Sequence, residues 1–147
     1  MARRKETQKE SNKKLVAIME QWQDIEVKSI ASLRSLIKKV KNPLVKQVLK
    51  IIQRDSVMHQ AVQQFIVDSL EKKAITLTPE ELAAIWSGIE EHIKMERATV
   101  KLGQRAKETS ANFVHRYFIN YLMADERKHE EMLEQLDNIK RKMYPYA

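Results

Sequence analysis

The chain repeats its pattern of residue types at an offset of 70 positions, and this repeat limits the folds open to it. Three polar pairs follow the offset: Glu26/Glu96, Asp55/Asp125 and His59/His129. Apolar pairs follow it too, including Leu15/Ile85, Ile25/Met95, Ile52/Leu122 and Val62/Met132. Apolar positions within each repeat recur every three or four residues, as on the inward face of a helix. The pattern predicts a duplicated helical hairpin with polar residues on its inner face.

Composition predicts long helices, because the 147 residues include only two Gly and three Pro. We expect helices over about 11–41, 43–73 and 79–109, and a fourth from the turn at 110–112 to about 142. The predicted fold is all-α: an antiparallel four-helix bundle over 13–147, with repeats at about 13–73 and 79–142. Residues 1–12 have almost no apolar content and are expected to form a disordered basic tail.

The absence of Cys and the distribution of charge limit the kinds of site and of partner that this chain can have. The chain has no Cys, which excludes thiolate ligands and Cys nucleophiles and is compatible with a reducing compartment, so a cytoplasmic location is expected. No apolar run is long enough to span a bilayer, and no membrane partner is expected. Residues 1–54 carry 14 Lys/Arg and 5 Asp/Glu. This excess suits a nucleic-acid or ribonucleoprotein partner, although a solvated basic surface is the simpler explanation.

The repeated acids and histidines are predicted to share one layer of the bundle. Glu26 and Glu96 lie 16 residues before the turn residues Asn42 and Asn112, and His59 and His129 lie 17 residues after them. A rise of 1.5 Å per residue puts all four about 24–26 Å from their turns. Buried charges are costly unless they pair or bind something. Three interpretations follow: a metal site, a salt-bridge and hydrogen-bond layer that sets helix register, or a wrong assignment of the inward faces that leaves these residues in solvent.

The fourth helix adds a second motif, Glu126-x-x-His129, which puts both side chains on one face. With Glu96 on the preceding helix, it resembles the ferritin-like superfamily of carboxylate-bridged di-iron proteins, such as bacterioferritins and rubrerythrins. The resemblance implies metal ligands in this chain, and those that match are Glu26, His59, Glu96, Glu126 and His129. Ser56 departs from the pattern, because it stands where the first repeat would need a Glu.

The same resemblance assigns supporting roles to neighbouring residues. Asp125 and Asp55 stand where the family has an acid that supports a histidine, and Asp55 is also a candidate to replace the ligand missing at Ser56. From its position alone, one turn before Glu96, His92 is expected behind the ligands or as an ordinary core histidine, and an additional ligand is the less favoured interpretation. The half-site with Ser56 should bind a divalent ion more weakly than the half-site with Glu126.

The leading hypothesis is a metal-binding protein that holds iron, with manganese or zinc as alternatives, and that assembles as a homodimer or higher oligomer. If it is an enzyme, the resemblance implies an iron-dependent oxidoreductase with ferroxidase, peroxide or oxygen chemistry, and its catalytic residues are not assigned. The alternative is a non-catalytic bundle with a degenerate site, which binds nucleic acid or a ribonucleoprotein through residues 1–54. The short 73–78 connection favours up-down-up-down topology.

Overall fold

The computed structural model describes residues 7–143, and in that range it is all-helical without strands. The four helices are α1 (Gln8–Lys39), α2 (Pro43–Glu71), α3 (Pro79–Thr109) and α4 (Phe113–Met143). The chain divides into two compact units, residues 1–75 and 76–147. Each unit holds one helical hairpin, α1 with α2 and α3 with α4. The prediction of an all-helical chain with four long helices is confirmed.

Side-chain caps fix the helix ends. At the start of α1 the Thr7 side chain accepts a bond from the Glu10 backbone N–H, and Glu10 accepts one from the Thr7 N–H. This capping box satisfies donors that a helix start leaves unpaired. Helix α1 therefore begins earlier than predicted, and the expected disordered segment 1–12 is wrong for its helical residues 8–12. Residues 1–6 of that segment, and 144–147, lie outside the described residues.

The helix ends also follow the 70-residue offset. Helices α1 and α3 end at Lys39 and Thr109, and α2 and α4 begin at Pro43 and Phe113. In both hairpins an Asn side chain accepts bonds from two backbone N–H groups of the next helix, through Asn42 at 2.9 and 3.2 Å and through Asn112 at 2.9 and 3.1 Å. The two hairpins thus use the same turn chemistry.

In the first hairpin, later residues of α1 contact earlier residues of α2, the order expected of antiparallel helices. Gln23 donates to Gln64 at 2.9 Å, and Ser29 lies 3.5 Å from Ser56 between hydroxyl oxygens. The buried side chains are Met19, Glu26, Leu33, Ser56, Gln63 and Val67. Their main spacing is seven residues, which keeps one narrow stripe of each helix against the other.

The buried stripe of α2 differs from the predicted one. The inward line was expected to include Asp55, His59 and Val62, but these are exposed, and Ser56 and Gln63 are buried instead. Successive helix positions are about 100° apart, so a shift of one residue selects a neighbouring face. The apolar pattern marked the broad inner face of α2, and contact with α1 alone buries only one edge of it.

In the second hairpin the apolar contact is concentrated at one end. Leu82, Ile89 and Ile93 of α3 form a buried cluster, against which Leu77, Trp86, Leu133 and Leu136 pack. Towards the turn the helices approach more closely, because Gly103 lies against the buried Met123. A Cβ built on Gly103 would be 2.5 Å from Met123 Cγ. Gly103 is thus required by the close packing of α3 on α4.

Large apolar side chains also remain exposed on both hairpins. Five repeat-related pairs share this exposure: Leu15/Ile85, Ile25/Met95, Leu44/Val114, Ile52/Leu122 and Val62/Met132. None of the helices within residues 7–143 has both the length and the apolar character needed to cross a bilayer. Each hairpin therefore presents an apolar stripe beside its own helix–helix contact.

Replacement of each of the two glycines of α3 with Ala should have opposite effects on the free energy of unfolding. A Cβ on Gly88 would meet nothing within 4 Å, so Gly88→Ala should stabilise the protein by up to about 1 kcal/mol through helix propensity. Gly103→Ala should destabilise it by about 1–2 kcal/mol, because Met123 must move. Urea unfolding followed by circular dichroism measures both. If Gly103→Ala destabilises equally in a Met123→Ala background, close packing against Met123 is not the reason.

Candidate metal centre

Glu96 is the central residue of the candidate site. It continues the seven-residue spacing of Leu82 and Ile89 along α3, and that position keeps it 93% buried, with 7% of its surface exposed. Its Oε1 lies 2.9 Å from His92 Nε2, one turn earlier. Its Oε2 is buried and has no hydrogen-bond partner in the described part of the chain. A buried carboxylate oxygen without a donor is costly and normally indicates a proton or cation beside it.

Helix α4 brings two further ligand-type side chains to Glu96. The three-residue spacing of Glu126 and His129 puts both on the face of α4 that meets α3. His129 Nδ1 lies 3.7 Å from Glu96 Oε1 and 3.5 Å from Glu126 Oε2. One ligand atom from each of Glu96, Glu126 and His129 lies within 4.8 Å of the others. The structure thus brings these three side chains close together, and their role as metal ligands stays a prediction.

The pKa values of the two carboxyl groups of the site, Glu96 and Glu126, are shifted in opposite directions. The hydrogen bond with Glu126 lowers the pKa of Glu96, and the positive charge of His129 adds to the effect against the penalty of burial. The same hydrogen bond raises the pKa of Glu126, reinforced by burial and by the charge of Glu96. Two close carboxylates cannot both ionise freely, so when the pair holds one proton, that shared proton favours Glu126 over Glu96. When both groups are ionised, Glu96 Oε2 has no hydrogen-bond partner among the described residues.

The first hairpin holds a simpler version of the site. Glu26 is also 7% exposed, and its Oε1 accepts from Trp22 Nε1 at 3.1 Å and lies 3.3 Å from His59 Nδ1. Trp22 corresponds to His92 by the repeat, so indole and imidazole contact equivalent Glu residues from equivalent positions. The structure brings Glu26 and His59, two of the predicted ligands, into contact, whereas the contact from Trp22 was not predicted. An indole N–H donates a hydrogen bond and does not ligate metal.

Ser56 lies on the side of α2 that faces α1, the helix that carries Glu26. Its side chain supplies a hydroxyl group where the second hairpin has the carboxyl group of Glu126. It is 5% exposed and lies 3.5 Å from the Ser29 hydroxyl. Asp55, the candidate replacement ligand, is exposed and has no hydrogen bond or ion pair with any described residue. The structure therefore does not bring Asp55 to Glu26 and His59, because Asp55 points from the neighbouring face of α2.

Asp125 was expected to support His129, but its direct ion pair is with Lys128, at 3.0 Å between Oδ1 and Nζ. The Lys128 hydrogen bond is the main cause that lowers the pKa of Asp125, and the charge of His129 contributes least. His92 is in direct contact with Glu96, as a supporting residue should be. The prediction that Glu26, His59, Glu96 and His129 converge on one centre concerns both hairpins and stays a prediction.

The donor set of the second hairpin fits a transition-metal ion. Two carboxylates and an imidazole, without sulfur, suit iron, manganese or zinc. Ligand atoms bound to one ion at about 2.1 Å lie roughly 3–4 Å apart, and the two His129 distances fall in that range. The orphaned Glu96 Oε2 adds a buried acceptor. A groove of about 260 Å³ beside Gly103 and Met123 reaches Glu126 and leaves room for a small ligand.

Comparisons with sequence models of protein families, with curated proteins and with solved structures found no match. The resemblance to ferritin-like proteins therefore depends on the residues of this chain alone and stays a hypothesis.

The shared proton predicts how Glu126 contributes to the unfolding free energy of the metal-free protein. A raised pKa stabilises the fold below the ordinary glutamate value, and that contribution is lost as pH rises through the raised pKa. Glu126→Gln keeps a donor at every pH and should stabilise the metal-free protein near pH 7.5 by about 0.5–1 kcal/mol. Urea unfolding at about pH 5 and 7.5 with chelator tests this. The control is Glu131→Gln, an exposed residue of α4. An equal effect of both variants would contradict the shared proton.

Proposed function

We propose that this chain binds a divalent transition-metal ion through Glu96, Glu126 and His129. The observation that carries the proposal is Glu96: it is almost fully buried, and one of its oxygens has no partner although a carboxyl group and an imidazole lie beside it. A cation would satisfy that oxygen and replace the proton that the two carboxyl groups share. Binding should therefore release protons and strengthen as pH rises.

We propose iron as the metal, with manganese and zinc as the outcomes to compare. The ligands are oxygen and nitrogen atoms, and the chain has no Cys to favour soft metals. Three protein ligands leave coordination positions open, as in catalytic rather than structural sites. Bound iron would supply redox chemistry with dioxygen or peroxide. Glu126 would hold or release a proton there, and His92 would orient Glu96 through its 2.9 Å contact.

We further propose that the hairpins pack as an antiparallel four-helix bundle of ferritin-like type. The support is the exposed apolar stripe that each hairpin carries at repeat-related positions, such as Ile52 and Leu122. Burial of such stripes is the main favourable contribution to bundle formation. In that arrangement Glu26 and His59 would form a second, weaker half-site, because Trp22 and Ser56 replace two of the ligand-type residues that the other hairpin has.

Metal content should depend on the second hairpin more than on the first. Glu96→Gln with His129→Ala should lower iron(II) affinity at least about 100-fold, since two ligands are lost. The equivalent pair Glu26→Gln with His59→Ala is the matched control and should affect mainly a weaker second site. Anaerobic calorimetric titration and elemental analysis measure both. Fewer than about 0.2 ions per chain after reconstitution of the native protein would contradict metal binding.

Restoring the missing carboxylate should reduce the asymmetry between hairpins. Ser56→Glu puts a Glu-x-x-His pair in α2, so we expect a higher metal stoichiometry or a tighter weak site. Ser32→Glu, at an exposed position of α1, is a control that adds the same charge without the pair. If the native protein shows two indistinguishable sites that Ser56→Glu leaves unchanged, the asymmetry is wrong.

A further inference from the structure

The turn end of the first hairpin has an unusual concentration of positive charge. Residues 27–54 contain eight Lys/Arg and no Asp/Glu. The eight residues, here named the basic tip, are Lys28, Arg34, Lys38, Lys39, Lys41, Lys46, Lys50 and Arg54. They lie on the second half of α1, the connection and the first half of α2. The basic tip thus accounts for most of the basic excess of the chain's first 54 residues.

The charges of the basic tip are available to a partner. Seven of the eight residues are exposed, and only Lys46 is half-buried. None of them forms a salt bridge with a carboxylate of residues 7–143. The second hairpin differs, since Arg97 pairs with Glu130 at 2.6 Å and with Glu134 at 2.8 Å. The cations of the basic tip therefore do not stabilise the hairpin by ion pairing.

Because the second hairpin repeats the first, comparing the two shows whether the helical hairpin needs the charges of the basic tip in order to fold. At the eight equivalent positions the second hairpin carries Ala98, Gln104, Glu108, Thr109, Ala111, Arg116, Asn120 and Ala124. That set includes one cation and one anion, yet the helices of the second hairpin end and begin at the equivalent residues. The hairpin fold thus forms without the basic tip. Clustered like charges repel one another, so the fold alone gives no reason to concentrate them there.

Helix electrostatics explain only part of the cluster. Lys38 and Lys39 lie in the last turn of α1, where cations are favourable with the helix dipole. Lys41 and Lys46 lie at the start of α2, where the dipole opposes them and no acid is present in the first turn. Lys46, Lys50 and Arg54 follow a four-residue spacing, which aligns them along one face of α2. A line of unpaired cations matches a linear polyanion.

We infer that the basic tip binds the phosphate backbone of double-stranded nucleic acid, independently of the proposed metal site. A duplex presents a dense line of negative charge and releases counterions when Lys and Arg neutralise it. Residues 27–54 include no aromatic residue. Binding to single strands relies on aromatic stacking, and insertion into membrane surfaces commonly uses Trp or Phe. Backbone contact without base stacking predicts binding that does not depend on sequence.

The test uses the full-length protein and a labelled duplex of about 20 base pairs, followed by fluorescence anisotropy at several salt concentrations. The tip variant is Arg34→Gln with Lys50→Asn and Arg54→Ala, three exposed positions given the second repeat's own residues. It should bind at least about 10-fold more weakly, with a salt slope reduced by roughly 2–3.

The matched control is Lys101→Gln with Arg105→Gln and Arg116→Gln, which removes three exposed charges from the second hairpin. It should change affinity about 3-fold or less. Circular dichroism checks that both variants fold.

Four results would overturn the inference. The first is equal weakening by the tip and control variants, which would indicate net charge alone. The second is tighter binding of a single strand of equal length than of the duplex. The third is tip-dependent binding to vesicles containing phosphatidylserine that exceeds binding to the duplex, which would assign the basic tip to membranes. The fourth is no measurable duplex binding at low salt. Elemental analysis of the tip variant should match the native protein, which separates this test from that of the metal site.

Discussion

The burial of a carboxylate at the contact between two helices governs the structure of both hairpins. Glu26 and Glu96 each occupy a position where the seven-residue spacing otherwise puts apolar side chains. An ionised carboxylate there costs several kcal/mol unless donors or a cation surround it. The neighbouring residues reflect that constraint: ring nitrogens approach each Glu from one turn earlier and from the facing helix. The identities of those neighbours decide what each hairpin can bind.

Two differences between the repeats distinguish the buried layer of the first hairpin from the candidate metal site of the second. At the position before the buried Glu, Trp22 can only donate a hydrogen bond, while His92 can donate, accept or ligate. At the facing position, Ser56 bonds a neighbouring hydroxyl, while Glu126 adds a second carboxyl group and a shared proton. The first hairpin therefore satisfies its buried charge internally. The second leaves Glu96 Oε2 without a partner and concentrates negative charge that a cation would relieve.

Much of this arrangement could be predicted from the sequence. The repeat, the four helices and the Pro and Asn caps follow from local rules, and the Glu96, Glu126 and His129 group follows from helix spacing. The register of α2 could not be predicted, because the apolar pattern marks a broad face and not the edge that α1 covers. Gln63 is buried in place of the expected Val62, and its Oε1 has no hydrogen-bond partner among the described residues. The start of α1 was missed since the Thr7 capping box lies in a segment with almost no apolar residues.

The length of the helices lets one hairpin carry opposite charges without interference. In the first hairpin Glu26 lies 16 residues from the turn residue Asn42, or about 24 Å along the helix. The Debye length at physiological ionic strength is about 8 Å, so cations near the turn are screened from the Glu26–His59 pair. Charge on Lys38, Lys39 and Lys41, next to the turn, can thus change without altering that pair, whereas Lys28 and Arg54 of the basic tip lie closer to it. A distance of about three Debye lengths separates the buried carboxylate from the charges at the turn, which explains how the two features can coexist in one short hairpin.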